Sequence, residues 1–220
     1  MILAAGRGER MRPLTDTCPK PLLCVAGRPL IVWHLERLAR AGFREVVINH
    51  AHLGEQIEAR LGDGAAWGLT LRYSPEPPGA LETAGGIARA LTLLGDAPFL
   101  VINGDIFCDW DPARAQLAEN DVAHLVMVPN PAQHPEGDFV LSGTRVDAGG
   151  TAPRLTFAGI GIYRPDLFAG ITSGEVAKLA PLLRDAMATG RVSGERHDGR
   201  WTDVGTPGRL QALDAEMRAL

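Results

Sequence analysis

The sequence predicts an α/β protein, a three-layer α/β/α Rossmann-like domain with a mixed, mostly parallel central sheet. Short β-branched or apolar runs alternate with helical patterns, as a sheet with helices on its faces requires. At 220 residues, 45% of them hydrophobic, the chain can bury one substantial core and is too short for several domains. Its Pro-, Gly- and Asp-rich loops are all too short to be interdomain linkers, and there is no internal repeat or low-complexity tract. One domain over 1–220 is expected.

Strands are expected at 1–4, 45–49, 69–73, 99–102, 123–128, 139–142, 155–163 and 192–196, each a short run of apolar or β-branched residues. Helices are expected at 29–41, which opens after Gly27-Arg28-Pro29, at the short 54–61, and at 85–94, which follows Glu82-Thr83-Ala84. Two more are expected at 178–189 and 207–220. Residues 75–78, 129–135 and 148–153 are loops by composition.

Composition excludes several classes. A formal net charge of -4 gives no field with which to grip nucleic acid, so any phosphate binding must be local. Cys18, Cys24 and Cys108 form neither a CxxC pair nor an even disulfide set, which suits a reducing compartment. No apolar stretch reaches transmembrane length and the N-terminus lacks a secretion signal. A cytoplasmic protein without membrane or nucleic-acid partners is therefore expected, as a monomer or homodimer. Arginine supplies nearly all the positive charge, and Lys20 and Lys178 are the only lysines. Lysine is a compact point charge that arginine's planar fork does not always replace, so both positions deserve a functional reading.

The chain opens MILAAGRGERMRPLTDTCPKPL, an apolar strand running into Gly6-Arg7-Gly8. Glycines let backbone N–H groups approach phosphate oxygens closely and form an anion-binding nest. A dinucleotide G-x-G-x-x-G is not present, because Met11 stands at the third glycine position. A Walker P-loop is excluded, since Gly-Lys occurs nowhere. Arg10 and Arg12 bring guanidinium groups suited to phosphate, and Pro19-Lys20-Pro21 fixes a lysine between two φ-restricted residues.

AAGRGERMRPLT followed by PKPL resembles the signature of the sugar-phosphate nucleotidyltransferases. The resemblance implies that Gly6, Gly8 and Glu9 help hold a nucleoside triphosphate, that Arg10 contacts its β- and γ-phosphates, and that Lys20 acts at the reacting centre. It also implies that 1–110 is mainly the nucleotide-binding half and 111–220 mainly the sugar-binding half.

Two aspartates stand in suggestive settings, Asp105 in LVINGD and Asp203 in WTDVGT. Phosphoryl-type transfer needs hard oxygen ligands for Mg²⁺, usually one or two carboxylates plus substrate phosphates. Taken alone, Asn-Gly-Asp is an ordinary turn and Asp203 could cap the last helix. In the family resemblance both match metal-binding carboxylates, and Asn103 matches a residue near the sugar phosphate. Leu81-Glu82-Thr83-Ala84-Gly85-Gly86 reads as a helix start and resembles the segment whose backbone reads the nucleobase. Gly137-Asp138-Phe139 and Thr156-Phe157-Ala158-Gly159 resemble the sugar-pocket segments. The Glu-Lys-Pro of many relatives is missing before the second of these, and Lys178 is the candidate to supply that charge.

These motifs occur in family order over nearly the whole chain. HLGEQI, LETAGG, GDF, KLAPLL and WTDVGT resemble the branch that joins UTP to N-acetylmuramic acid α-1-phosphate in cell-wall sugar recycling. The implied reaction is in-line attack of the sugar 1-phosphate on the α-phosphorus with release of pyrophosphate. The attacking phosphate is already ionised, so no general base is needed. Competing readings are a glucose-, mannose- or heptose-1-phosphate enzyme using dTTP or GTP, and a noncatalytic nucleotide-sugar sensor. No serine sits in a G-x-S-x-G setting. Of the histidines, only His50 and His52 form a near pair. The first strand starts at Met1 without lead-in, from which we expect a longer native N-terminus, and no acyltransferase repeat follows, from which we expect an enzyme other than the bifunctional glucosamine-phosphate type.

Overall fold

The computed structural model describes residues 1–219; Leu220, the last residue of the helix expected over 207–220, lies outside the described residues. The strands in chain order are β1 (Ile2–Ala4), β2 (Cys24–Val25), β3 (Arg28–Pro29), β4 (Glu45–His50), β5 (Thr70–Pro75), β6 (Phe99–Asn103) and β7 (Ile106–Cys108). They continue as β8 (Ala123–Val128), β9 (Phe139–Ser142), β10 (Arg145–Asp147), β11 (Arg154–Tyr163), β12 (Val192–Arg196) and β13 (Trp201–Asp203). The helices are α1 (Leu30–Arg40), α2 (Gly54–Leu61), α3 (Glu82–Leu94), α4 (Leu179–Ala188) and α5 (Pro207–Arg218). Every expected strand and helix is present. The strands absent from the expectation, β2, β3, β7, β10 and β13, are two or three residues long, too short to show a period.

Backbone contacts divide the chain into two compact units. The first holds Met1–Leu81, Asn103–Ala113 and the stretch beginning at Arg200; the second holds Glu82–Ile102 and Arg114–Gly199. In the first unit β5, β4 and β1 run parallel, with Ile2 opposite Ile48 and Val46 opposite Leu71. Pro75, expected in a loop, ends β5 opposite His50; β5 is an edge strand, where a missing N–H is tolerated. Helix α1 buries Leu30, Ile31, His34, Leu35 and Leu38, the i, i+4 stripe of an amphipathic helix. Met11, Leu23, Val25, Leu30, Phe107, Val204, Leu210 and Leu213 form a core cluster that draws the opening loop and α5 together.

The second unit holds β6-β11-β8-β12-β10-β9, with β8 and β12 parallel and the other pairs antiparallel. Phe99, Tyr163 and Phe168 pack with ring centroids 5.8 to 6.5 Å apart. A Cβ on Gly161 would meet the Tyr163 hydroxyl at 2.3 Å, so glycine is required beneath that ring. Asp121 is buried and takes both guanidinium nitrogens of Arg145 at 2.7 and 2.8 Å. Burial alone would raise its pKa, but hydrogen bonds from Arg145 and Ser193 hold the carboxyl below its usual range.

Helix α3 starts three residues before the expected point. The N–H groups of Ala84 and Gly85 donate to the Ala177 carbonyl at 2.9 and 3.1 Å. That carbonyl satisfies orphan donors of the first turn from a distant part of the chain, a cap invisible to local sequence.

Candidate active site

β1 delivers the chain to Ala5 and then to the glycine loop. Gly8 has a φ of 67°, and a Cβ there would lie 3.0 Å from Thr15 Cγ2 and 3.3 Å from Lys20 Cβ. Gly8 is thus required both for its left-handed backbone and for the close passage of Lys20. Gly6 differs: nothing lies within 4 Å of its Cβ position, and it is exposed. The chain then makes a 3-10 turn over Glu9–Met11 whose buried Met11 plugs the core cluster. That is the physical reason why the third position is not glycine. Glu9 and Arg10 on the same turn are exposed.

Arg12 is occupied by Asp16, its Nε 3.2 Å from the carboxylate. The loop is braced from the β4–α2 segment as well. His52 Nε2 lies 2.9 Å from the Thr15 carbonyl and contacts Arg7 Nη1, and Gln56 donates to the Thr17 carbonyl at 3.2 Å. His50 instead bonds Glu58 at 2.6 Å, so the two histidines serve separate structural ends.

Lys20 begins a short 3-10 turn between its prolines and is buried, with Nζ 2.5 Å from Asp105 Oδ2. Asp105 is placed by a close backbone approach. Gly104 N donates to the Leu3 carbonyl at 2.8 Å, and a Cβ on Gly104 would stand 2.6 Å from that oxygen. The glycine of Asn103-Gly104-Asp105 is therefore fixed by β1. Beyond the turn, β7 pairs antiparallel with β13, Ile106 opposite Asp203, and Val204 N donates to the Asp105 carbonyl at 2.9 Å. This ladder brings Asp105 and Asp203, far apart in the chain, together at one end of the β7–β13 pair.

Asp203 does not cap the last helix. Thr206 is the N-cap of α5, its hydroxyl accepting from Arg209 N, while Asp203 Oδ2 accepts from Arg209 Nη1 at 2.6 Å. Arg209 went unread in the sequence, because nothing in VGTPGRL marks it as facing back onto β13. Arg10 Nη2 and Asp203 Oδ1 each lie 3.1 Å, and Arg209 Nη2 2.5 Å, from where a Cβ would sit on Gly205. Two guanidinium groups and a carboxylate thus converge on one glycine. Each carboxylate's ion pair uses its Oδ2, so Oδ1 of Asp105 and of Asp203 are hard oxygen donors outside those pairs. This donor set fits a small divalent cation.

Beneath the site, His34 on α1 is buried, with Nε2 2.9 Å from the Ile106 carbonyl. Burial pushes its pKa from 6.5 down to about 4, so the neutral ring donates its Nε2–H and pins the start of β7.

The remaining expected residues lie in the second unit. Glu82, Thr83, Ala84 and Gly85 form the first turn of α3, and Lys178 is the N-cap of α4. The Ala177 carbonyl that caps α3 brings Lys178 beside this segment. It also occupies the Ala84 and Gly85 amides, so the backbone groups of that turn are not free in the way the family's base-reading segment implied. Glu82 has a φ of 59° and an exposed side chain. Asp138 accepts from Phe157 N at 2.8 Å and contacts His134 at 3.1 Å, and Gly159, with a φ of 76°, lies within the irregular register of β11. Asp138 and the segment that opens at Phe157 are thus brought together.

A strand-to-glycine-loop opening, a buried lysine on a carboxylate and a second carboxylate on the paired strand define the class. The nucleotidyl transferase family matches residues 1–139, and the chain belongs to that family. It is 60% identical to an N-acetylmuramate alpha-1-phosphate uridylyltransferase of Neisseria meningitidis serogroup B, covering 98% of this chain and 96% of that one. A Caulobacter vibrioides protein of the same description is 37% identical over 99% of this chain and 96% of its own. In fold, the chain is similar to a Bacillus anthracis crystal structure provisionally assigned as a glucose-1-phosphate thymidylyltransferase, solved with sucrose. That likeness has a TM-score of 0.83 at 22% identity and covers 100% of this chain and 94% of that one. No helix among the described residues is long and apolar enough to cross a membrane.

Proposed function

We propose that the protein is a Mg²⁺-dependent uridylyltransferase acting as one domain over residues 1–220. It joins UTP to N-acetylmuramic acid α-1-phosphate, giving UDP-N-acetylmuramic acid and pyrophosphate, in cytoplasmic cell-wall sugar recycling. The observation that carries this reading is Lys20 Nζ at 2.5 Å from Asp105 Oδ2, with Asp203 on the adjoining strand. The relatives named above support the choice of donor and acceptor.

In the proposed reaction a sugar-phosphate oxygen attacks the α-phosphorus of UTP. The bond from that phosphorus to the bridging oxygen breaks, and the electron pair leaves with pyrophosphate. Gly6 and Gly8 present backbone N–H groups to the triphosphate, and Arg10 steadies the departing pyrophosphate. Lys20 moves from its carboxylate partner toward the charge growing around phosphorus, a desolvated point charge that needs no proton transfer. Asp105 and Asp203 would hold Mg²⁺, which supplies charge neutralisation of the phosphates when bound. Asn103, Asp138, Gly159 and Lys178 are assigned to the sugar phosphate, and Glu82, Thr83, Ala84 and Gly85 to the nucleotide, through groups other than the Ala84 and Gly85 amides that Ala177 holds.

Pyrophosphate release measured with UTP, dTTP and GTP against N-acetylmuramic acid 1-phosphate and glucose 1-phosphate tests the reading. The first donor with the first acceptor is expected to react fastest. Faster reaction of dTTP or GTP with glucose 1-phosphate would move the protein to another branch. Absence of pyrophosphate with every pair would leave a nucleotide-sugar sensor.

A further inference from the structure

A buried hydrogen-bond relay joins the end of β1, just before the glycine loop, to the residue before Glu82. Ala4 N donates to Asn49 Oδ1 at 2.9 Å, Asn49 Nδ2 donates to Glu76 Oε1 at 2.6 Å, and Leu81 N donates to Glu76 Oε2 at 2.9 Å. Asn49 and Glu76 are 3% and 9% exposed, so water cannot replace these bonds. Glu76 is itself held by its own N–H, which donates to the His50 carbonyl at 2.8 Å.

The chemistry of the relay is dictated by its ends. Both are backbone N–H donors, so somewhere between them one side chain must accept twice. Asn49 accepts once and donates once, and Glu76 then must accept at both oxygens, which only a carboxylate does. A glutamine in place of Glu76 leaves two N–H groups facing each other, and flipping the Asn49 amide only moves that clash to Ala4. The far end also carries strain that the relay opposes. Ala80 and Glu82, either side of Leu81, have φ values of 55° and 59°, a left-handed backbone that persists only where the surroundings over-determine it.

We infer that Asn49 and Glu76 are positioning residues for the nucleoside triphosphate, tying the chain that enters the phosphate loop to the chain that enters LETAGG. The inference rests on the reading that these segments hold the triphosphate and its base. Glu76 touches no substrate; it acts through Leu81 and Asn49.

The test is a UTP titration of pyrophosphate release, with thermal unfolding, for the wild type, E76Q and the exchanged pair N49D/E76Q. In the exchanged pair the new carboxylate on β4 accepts from Ala4 N and from the new side-chain amide on the facing segment. The oxygen of that amide accepts from Leu81 N, so every donor again meets an acceptor. E76Q is expected to raise KM for UTP about tenfold, the scale of one buried charged hydrogen bond. KM for the sugar 1-phosphate is expected to stay unchanged, and the preference for UTP over dTTP to narrow. N49D/E76Q is expected to return KM for UTP to within about twofold of wild type on the same hydrogen-bond count. A folded E76Q with an unaltered KM for UTP and only a lower kcat or melting temperature would make Glu76 merely structural. An exchanged pair that fails to fold, or folds without restoring KM, would overturn the relay. A wild type that releases no pyrophosphate would instead sink the functional reading beneath it.

Discussion

Lys20 Nζ stands 2.5 Å from Asp105 Oδ2, one partner buried and the other 36% exposed at its side chain. Such a half-open pair is poised rather than locked. The lysine side chain is buried, while the carboxylate keeps one side toward solvent. Asp105→Asn retains an acceptor for Lys20 but removes the charge. Under the proposed function, in which Asp105 would be a charged ligand for the phosphates' counter-ion, turnover is expected to fall by at least about 10²-fold. Stability is expected to fall by only about 1–2 kcal/mol, less than for a fully buried pair because Asp105 is partly solvated. Parallel kcat and urea-denaturation measurements check this; a variant with near-normal turnover would remove Asp105 from the chemistry.

Two glycines of the site make opposite predictions. Gly104→Ala would push a Cβ to 2.6 Å from the Leu3 carbonyl oxygen, a backbone atom that cannot swing aside, and should cost about 1–3 kcal/mol of stability while displacing Asp105. Gly6→Ala meets nothing within 4 Å and should leave the melting temperature unchanged. If the open face of Gly6 is where phosphate approaches, KM for UTP rises in that variant. An unchanged KM would show that the face is merely unused space.

The pH dependence of folding should carry the signature of His34, whose pKa burial lowers from 6.5 to about 4. The folded protein holds the neutral ring, whereas the unfolded chain takes up a proton near 6.5. Stability from this group is therefore complete above about pH 6.5 and is lost as pH falls toward 4, by about 1.4 kcal/mol per unit at most. His34→Gln keeps a donor for the Ile106 carbonyl and removes the titration. Between about pH 7 and pH 5, the denaturation midpoint should fall less steeply for the variant than for the wild type; equal slopes would assign the pH dependence elsewhere.

Much of this architecture is legible in the chain because its signals are local. The longer strands and the helices show their periods, Pro-Lys-Pro announces a held lysine, and Asn-Gly-Asp after an apolar run announces a turn with a carboxylate. What escaped is set by distant partners. Strands β7 and β13 are three residues each and exist because they pair with each other. Arg209 matters because α5 turns it back onto Asp203, Ala177 caps a helix that lies far earlier in the chain, and Glu76 gains meaning only beside Asn49 and Leu81. Met11 was informative as a missing glycine, yet its role as the loop's anchor needed the core cluster.

Glu82 occupies a left-handed backbone, φ 59°, where glycine is the unstrained choice. Glu82→Gly should therefore raise stability by about 1 kcal/mol. If the carboxylate serves the nucleotide, that gain comes with a higher KM for UTP. A variant that is more stable and equally efficient would show that the side chain has no part in substrate binding.

Gly205 tests the convergence of Arg10, Arg209 and Asp203. A methyl at this position would sit 2.5 Å from Arg209 Nη2 and 3.1 Å from both Arg10 Nη2 and Asp203 Oδ1. All three atoms are side-chain ends rather than backbone, so the protein can yield without moving backbone, and Gly205→Ala should cost less than about 1 kcal/mol of stability. If these groups meet a phosphate and a cation as proposed, function has less freedom, because a displacement of about 1 Å at a reacting site costs on the order of 10²-fold in rate. The expected variant is folded, slower, and slower in a way that Arg10→Ala does not deepen additively, since both changes remove the same contact. Measured kcat values for the two single variants and their combination decide the matter: full additivity would place Arg10 outside this cluster's work.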